Sequence, residues 1–225
     1  LRNTTIRNNN FGVKAARSTG TWRIVDSTIR GHSNEGVYAR ETTGDWRIEG
    51  TQIHDTADAG VDATRSGSDW IVESTDIQDS LGPAIEARQS DGAWLVRSSS
   101  IRNSTQGVDA AHSRGDWTVR ETGLRSNTLD AVVAADTTGD WTVVNTTLVA
   151  NYRGVNATRS TGTWTITASS FENNGLGVDA RGALIAGSAP KNWWDAADGP
   201  RGLFGGSGDA VRGNLLVRPF YTDDE

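Results

Sequence analysis

Cysteine is absent from this chain of 225 residues, which excludes a disulfide framework and any metal site built on thiolates. No run of 18 apolar residues occurs, so we expect no membrane insertion in this segment. Lysine is scarce, since only Lys14 and Lys191 stand among 22 basic residues. The formal net charge of −6 argues against nucleic acid or an anionic membrane as the partner.

A repeat of 23 or 24 residues, marked by tryptophan, runs through most of the chain. Ile or Val follows each tryptophan by two positions, Ser or Thr by five, and Ile, Leu or Phe by seven. After a loop come Val or Ile and, two positions later, always Ala. Residues 1–21 fit the template from its third position, so we expect a segment of a larger chain or assembly. The repeated tryptophans are Trp22, Trp46, Trp70, Trp94, Trp117, Trp141 and Trp164.

Each repeat contains three short apolar alternations, Trp-x-Ile, Ser/Thr-x-Ile and Val-x-Ala, separated by turn-forming residues. One such unit cannot bury its own apolar side, whereas a stack of them can. Left-handed β-helices typically use shorter, hexapeptide-based turns. The repeat therefore predicts an all-β, right-handed parallel β-helix of about eight coils. We assign residues 1–181 to the coils, with the first one truncated, and residues 182–225 to a C-terminal capping segment.

The tryptophan column is predicted to face the interior. If it faced solvent as a platform for sugar rings, the next column would face the core, and that column holds Arg23 and Arg47. Burial of unpaired guanidinium groups is too costly for this arrangement.

The repeat stops after Ala180, and residues 191–220 read "KNWWDAADGPRGLFGGSGDAVRGNLLVRPF". An uncovered last coil would recruit other strands, so we expect Trp193, Trp194, Phe204 and Phe220 to cover it. The string "NWWDAADGP…GSGDAVRGN…RPF" resembles the terminal signature of secreted right-handed parallel β-helix repeat proteins, common in haloarchaea and some bacteria. The preference for Arg over Lys, with plentiful Asp, Thr and Gly, resembles proteins of salt-loving archaea.

This resemblance spans nearly the whole chain and implies the fold and an extracellular or cell-surface location. The resemblance does not predict one particular activity, because the family includes carbohydrate-binding, carbohydrate-cleaving, surface and periplasmic accessory proteins. The family commonly has an Asn pair at the turn, and here Ser and Thr columns replace it. Four Asn-x-Ser/Thr sequons are candidate glycosylation sites of a secreted protein, at Asn3, Asn103, Asn145 and Asn156.

Acids are concentrated in one outward-facing column, between Val and Ala of the third alternation. Asp62, Glu86 and Asp109 stand there in consecutive coils, where carboxylates about 5 Å apart repel one another. Calcium would offset this repulsion, so the three acids are candidate calcium ligands. Arg40 and Arg88 in the next outward column could offset the same repulsion, because they lie diagonal to the acids. This arrangement predicts a solvated face of ion pairs.

We expect a structural, adhesive or glycan-binding module without catalysis, with a polysaccharide or surface glycan as partner and no cofactor other than calcium. Two alternatives remain open: a polysaccharide lyase or glycoside hydrolase with a shallow groove on coils 1–4, and a viral tail-fibre segment. Against catalysis, no loop is expanded into a cleft, and neighbouring Arg residues favour ionised carboxylates. The histidines fall in three different columns, which disfavours a metal cluster or a triad. The candidate binding residues are Tyr38, Arg40, Asp62, Glu86, Arg88 and Asp109.

Overall fold

The computed structural model describes residues 1–202 and 204–222, and it is a parallel β-solenoid. Each repeat contributes one strand to each of three sheets, which we call the Trp, Ile and Val sheets after their inward-facing columns. Every strand pair in the described residues is parallel, as the repeat predicts. Within those residues no helix is both long enough and apolar enough to cross a membrane.

Strands of the Trp sheet are Trp22–Val25, Trp46–Glu49, Trp70–Glu73, Trp94–Arg97, Trp117–Arg120, Trp141–Val144, Trp164–Thr167, Gly187–Ser188 and Leu215–Leu216. Strands of the Ile sheet are Thr5–Arg7, Thr28–His32, Gln52–Thr56, Asp76–Ser80, Ser100–Arg102, Gly123–Arg125, Thr147–Val149 and Ser170–Glu172. Strands of the Val sheet are Val13–Lys14, Val37–Tyr38, Val61–Asp62, Ile85–Glu86, Val108–Asp109, Asp130–Val133, Arg153–Asn156, Leu176–Ala180, Pro200–Gly202 and Gly208–Gly213.

The tryptophan column faces the interior, which confirms the prediction from parity. Trp94, for example, pairs in register with Trp70 and Trp117 and is 3% exposed. Successive rings from Trp22 to Trp164 stack 4.8 to 5.0 Å apart and within 4° of parallel. This continuous stack of large apolar side chains forms one side of the core.

Each coil turns three corners, and each corner has a residue in the left-handed region of backbone conformation. In the coil that begins at Trp46 these residues are Gly50, Asp55 and Arg65, with φ of 58°, 57° and 56°. Glycine, asparagine and aspartate adopt this conformation most readily, which explains their frequency between the alternations. Asp55, Asp79 and Asn103 recur at the same corner of successive coils, and all three adopt this left-handed conformation.

An asparagine ladder lies at the corner that follows the Ile sheet. The backbone N–H of Asn127 donates to Asn151 Oδ1 at 3.0 Å, and that of Asn151 donates to Asn174 Oδ1 at the same distance. All three side chains are buried. The expectation that Ser and Thr replace such a ladder was wrong for these coils, although Ser80 and Ser104 do occupy the column in earlier ones.

Part of the C-terminal segment continues the solenoid, so that it has about nine turns instead of eight. Gly208–Gly213 pairs with the Val sheet. Trp194 is fully buried and stacks 4.5 Å from Phe171. Phe204 and Phe220 pack, partly buried, against the core, in agreement with a covering role. Trp193 does not join them, because it continues the outward-facing column of the Ile sheet beside Ser170.

Candidate functional site

The outward-facing acids of the Val sheet are buried, contrary to the expectation of a solvated face. Asp62 is 0% exposed and Asp109 is 3% exposed, although both point away from the core. The cause is local, since each side chain folds back on its own corner. Asp62 Oδ1 accepts the N–H of Thr64 at 2.9 Å, and Asp109 Oδ1 accepts that of Ala111 at 3.0 Å.

This arrangement is an Asx turn, in which a short polar side chain binds the backbone N–H two residues later. Asn156 and Asp179 form the same contact in later coils, with Thr158 and Arg181. The Asp or Asn between Val and Ala of the third alternation therefore stabilises the corner in the four coils that have it. The spacing was visible in the sequence, where Asp or Asn recurs three positions before the left-handed corner residue, as Asp62 does before Arg65.

The remaining oxygens of the two buried aspartates face arginine. Arg40 Nε lies 2.6 Å from Asp62 Oδ2, and Arg88 Nε lies 3.6 Å from Asp109 Oδ2. The diagonal ion pairs expected from the sequence are therefore present for these two acids. Glu86 has no such partner within 4.0 Å among the described residues, although it stands between Asp62 and Asp109 in register.

Glu86 differs electrostatically from its neighbours. Burial raises the pKa of its carboxyl group to about 7, and the charges of Asp62 and Asp109 act in the same direction, while Arg40 and Arg88 oppose them. The expectation that neighbouring arginines keep this acid ionised was wrong, because desolvation outweighs their effect. The Glu86 carboxyl group thus has a pKa close to neutral pH.

Only four of the six candidate binding residues can reach a ligand. Tyr38 and Glu86 are half-buried, and the side chains of Arg40 and Arg88 are 36% and 46% exposed. The Arg40 guanidinium lies 5.8 Å from the Tyr38 ring centroid. A hollow of about 290 Å³ borders Tyr38 and Arg40 and includes Lys14 and Arg17.

Comparison with known proteins identifies the family. Residues 15–193 match the family described as right-handed β-helix region. The chain belongs to the right-handed β-helix family. No curated protein sequence matches the chain.

Two solved structures share the fold of this β-helix. The pectate lyase Pel9A has a TM-score of 0.61 at 13% identity, over 98% of this chain and 69% of that one. The A-module of the mannuronan C-5 epimerase AlgE4 from Azotobacter vinelandii has a TM-score of 0.66 at 12% identity, over 100% and 65%. The β-helix thus spans less than two thirds of the epimerase module. At these identities the likeness concerns the fold alone.

Among the described residues, no three acidic or histidine side chains converge closely enough to hold an ion. Asp62 and Asp109 direct their oxygens to backbone amides and to arginine instead. Calcium binding by Asp62, Glu86 and Asp109 therefore stays a prediction from the sequence.

Three of the four sequons lie on the surface, at Asn3, Asn103 and Asn145. Asn156 is only 8% exposed, and its Oδ1 accepts the N–H of Thr158 in an Asx turn. A glycan on Asn156 is incompatible with this buried position in the folded chain.

Two further concavities among the described residues lie on the Trp sheet. Two grooves of about 480 and 440 Å³ meet at Ala93 and Trp94. Aspartates such as Asp69 and Asp140 line them, and each accepts a backbone N–H of the next coil, at 2.9 and 2.7 Å respectively. These aspartates are exposed corner residues, so the Val sheet remains the better candidate site, with a half-buried acid of raised pKa.

Proposed function

We propose that this β-helix is an extracellular or cell-surface module that binds a polysaccharide on the outer face of the Val sheet, in its first coils. Tyr38, Arg40, Glu86 and Arg88 are the contact residues. The proposal is carried by one observation: these side chains are accessible, while buried aspartates beneath them hold both arginines.

The chemistry of the four side chains suits a saccharide. An arginine forms paired hydrogen bonds to hydroxyl or carboxylate oxygens, and an aromatic ring packs on the apolar face of a sugar. The ion pair with Asp62 restricts Arg40 before binding, which lowers the entropy that binding costs. The names of the two structural neighbours, a pectate lyase and a mannuronan epimerase, support a polysaccharide over a purely mechanical role.

Binding is tested with an array of neutral and acidic polysaccharides, followed by calorimetric titration of those retained. We expect Arg40→Gln, Arg88→Gln and Tyr38→Ala each to weaken binding about tenfold or more. Arg159→Gln is the matched control, because Arg159 also pairs with an acid, Asp136, but in another column. Failure to bind any polysaccharide, or affinities unchanged in all three variants, would refute the proposal.

The extracellular or cell-surface location, and an origin in a salt-loving archaeon, are supported by the resemblance of the C-terminal segment. Fractionation of the producing cells tests the location. Protein found only in the cytoplasm would contradict it.

A second candidate function is catalysis on the same face, as a polysaccharide lyase, epimerase or hydrolase. The observation that favours it is Glu86, since a pKa of about 7 suits proton transfer near neutral pH. The test incubates acidic polysaccharides with the chain, with and without calcium, and follows unsaturated products, reducing ends and epimer composition. We expect Glu86→Gln to abolish turnover while binding persists. No product from any bound polysaccharide would leave the binding module as the function.

A further inference from the structure

A second concave site lies at the C-terminal end of the β-helix, at the corner between the Trp and Ile sheets. It encloses about 340 Å³. That volume is within the range of small-molecule pockets in proteins. Two aromatic residues, Trp193 and Tyr221, line one end, and Thr147 and Ser170 lie in the adjoining strands of the Ile sheet.

The two adjacent tryptophans of the C-terminal segment have opposite environments. Trp194 is buried in the core, whereas Trp193 is only half-buried and lines the pocket. The backbone of Trp193 is fixed, because its N–H donates to Ser169 O and its carbonyl accepts the N–H of Phe171, both at 2.9 Å. Tyr221 is 37% exposed and its N–H donates to Asn192 O at 3.1 Å. Two partly exposed rings are thus held at one end of the pocket by ordered backbone.

Polar groups of both charge signs complete the lining. Glu172 Oε1 accepts the hydroxyl of Ser170 at 2.6 Å. Arg125 is exposed and, in the part of the chain that the structure describes, has no acid within 4.0 Å. An aromatic surface beside hydroxyl, carboxylate and guanidinium groups is the combination that binds an amphipathic ring with many hydroxyls.

We propose that this end pocket binds one sugar ring, which packs on Trp193 and Tyr221 and forms hydrogen bonds with Arg125 and Glu172. The pocket is separate from the site on the Val sheet, since it lies on other sheets and in later coils. Each site therefore binds its saccharide without the other, and failure of one proposal leaves the other intact.

The test is an NMR titration of the tryptophan indole N–H signals of the full chain with glucose, N-acetylglucosamine and galacturonic acid. The Trp193 signal is assigned by its loss in Trp193→Phe. We expect that signal to shift saturably with at least one sugar. Trp193→Ala and Tyr221→Ala should each raise the dissociation constant about tenfold or more, and Arg125→Gln should weaken galacturonic acid most.

Tyr152→Ala is the matched control, because Tyr152 is 63% exposed and does not line the pocket. Arg40→Gln should also leave the titration unchanged, which separates this pocket from the Val-sheet site. Arg125→Gln alters an exposed side chain, so it reports on binding even if Trp193→Ala unfolds. No saturable shift with any of the three sugars, or wild-type affinity in both Tyr221→Ala and Arg125→Gln, would overturn the proposal.

Discussion

The interior tryptophan column and the outer column of the Val sheet run in the same register, yet they differ in what each coil contributes. The interior column repeats one residue, and each ring uses the next as its packing partner. The outer column changes from Tyr38 to Asp62, Glu86 and Asp109, and the three successive carboxyl groups repel one another when ionised. A buried acid there needs its own backbone amide and arginine, and Glu86 lacks the arginine contact that its neighbours have.

The largest expected effect comes from breaking the interior column. Trp94→Ala removes a 3%-exposed ring that stacks 4.8 Å from each neighbour, and the coils on either side hold the cavity open. We expect the free energy of unfolding to fall by about 3–5 kcal/mol, measured by urea denaturation. An unchanged denaturation midpoint would contradict the interior role of the stack.

Removal of a buried acid from the outer column should cost less. Asp62→Ala deprives the Thr64 N–H of its acceptor and Arg40 of its ion-pair partner, and we expect a loss of roughly 1–3 kcal/mol in unfolding free energy. Asp62→Asn keeps an oxygen for the Asx turn and should cost less than the alanine variant. Equal losses in the two variants would show that the turn is not what the acid stabilises.

Glu86→Gln should change the pH dependence of stability. The folded-state pKa is about 7, above the ordinary value of 4.5, so the folded wild type binds the extra proton between these pH values. The stability from that proton is complete below about pH 4.5 and is lost as pH rises through about 7. The variant lacks this loss, so we expect it to be more stable than wild type above pH 7.

Burial also raises the pKa of Glu35 and Asp109, so the difference between variant and wild type is the informative quantity for Glu86→Gln. It is obtained from thermal denaturation at a series of pH values. A difference that does not change with pH would contradict the raised pKa.

The smallest effect is expected for an exposed pair. Arg159 forms two hydrogen bonds of 2.7 Å with Asp136, but its side chain is 65% exposed. Solvent screens this pair, so Arg159→Gln should leave the unfolding free energy close to the wild-type value. A loss of unfolding free energy as large as that of Asp62→Ala would contradict the expectation that a buried ion pair contributes more to stability than an exposed one.

The sequence by itself determined the strand order, the register and the interior position of tryptophan. These follow from a fixed repeat, because stacked coils place equal positions side by side and Arg23 and Arg47 cannot occupy the core. The asparagine ladder could also have been predicted from the sequence, because Asn127, Asn151 and Asn174 are spaced by one repeat. The split of the tryptophan pair, with Trp194 inside and Trp193 outside, depended on how the irregular C-terminal segment rejoins the sheets.

Only the tertiary structure decided which outward-facing groups are exposed and how burial shifts the pKa of each acid. Parity says that Asp62 and Glu86 point away from the core, but not that the aspartate folds back on its corner while the glutamate stands without an arginine contact. The solvation of a carboxylate is set by atoms from several coils together, and those atoms come from residues that vary from coil to coil. A periodic sequence therefore predicts the positions that repeat, whereas the exposure and pKa of each carboxyl group depend on the residues that differ between coils.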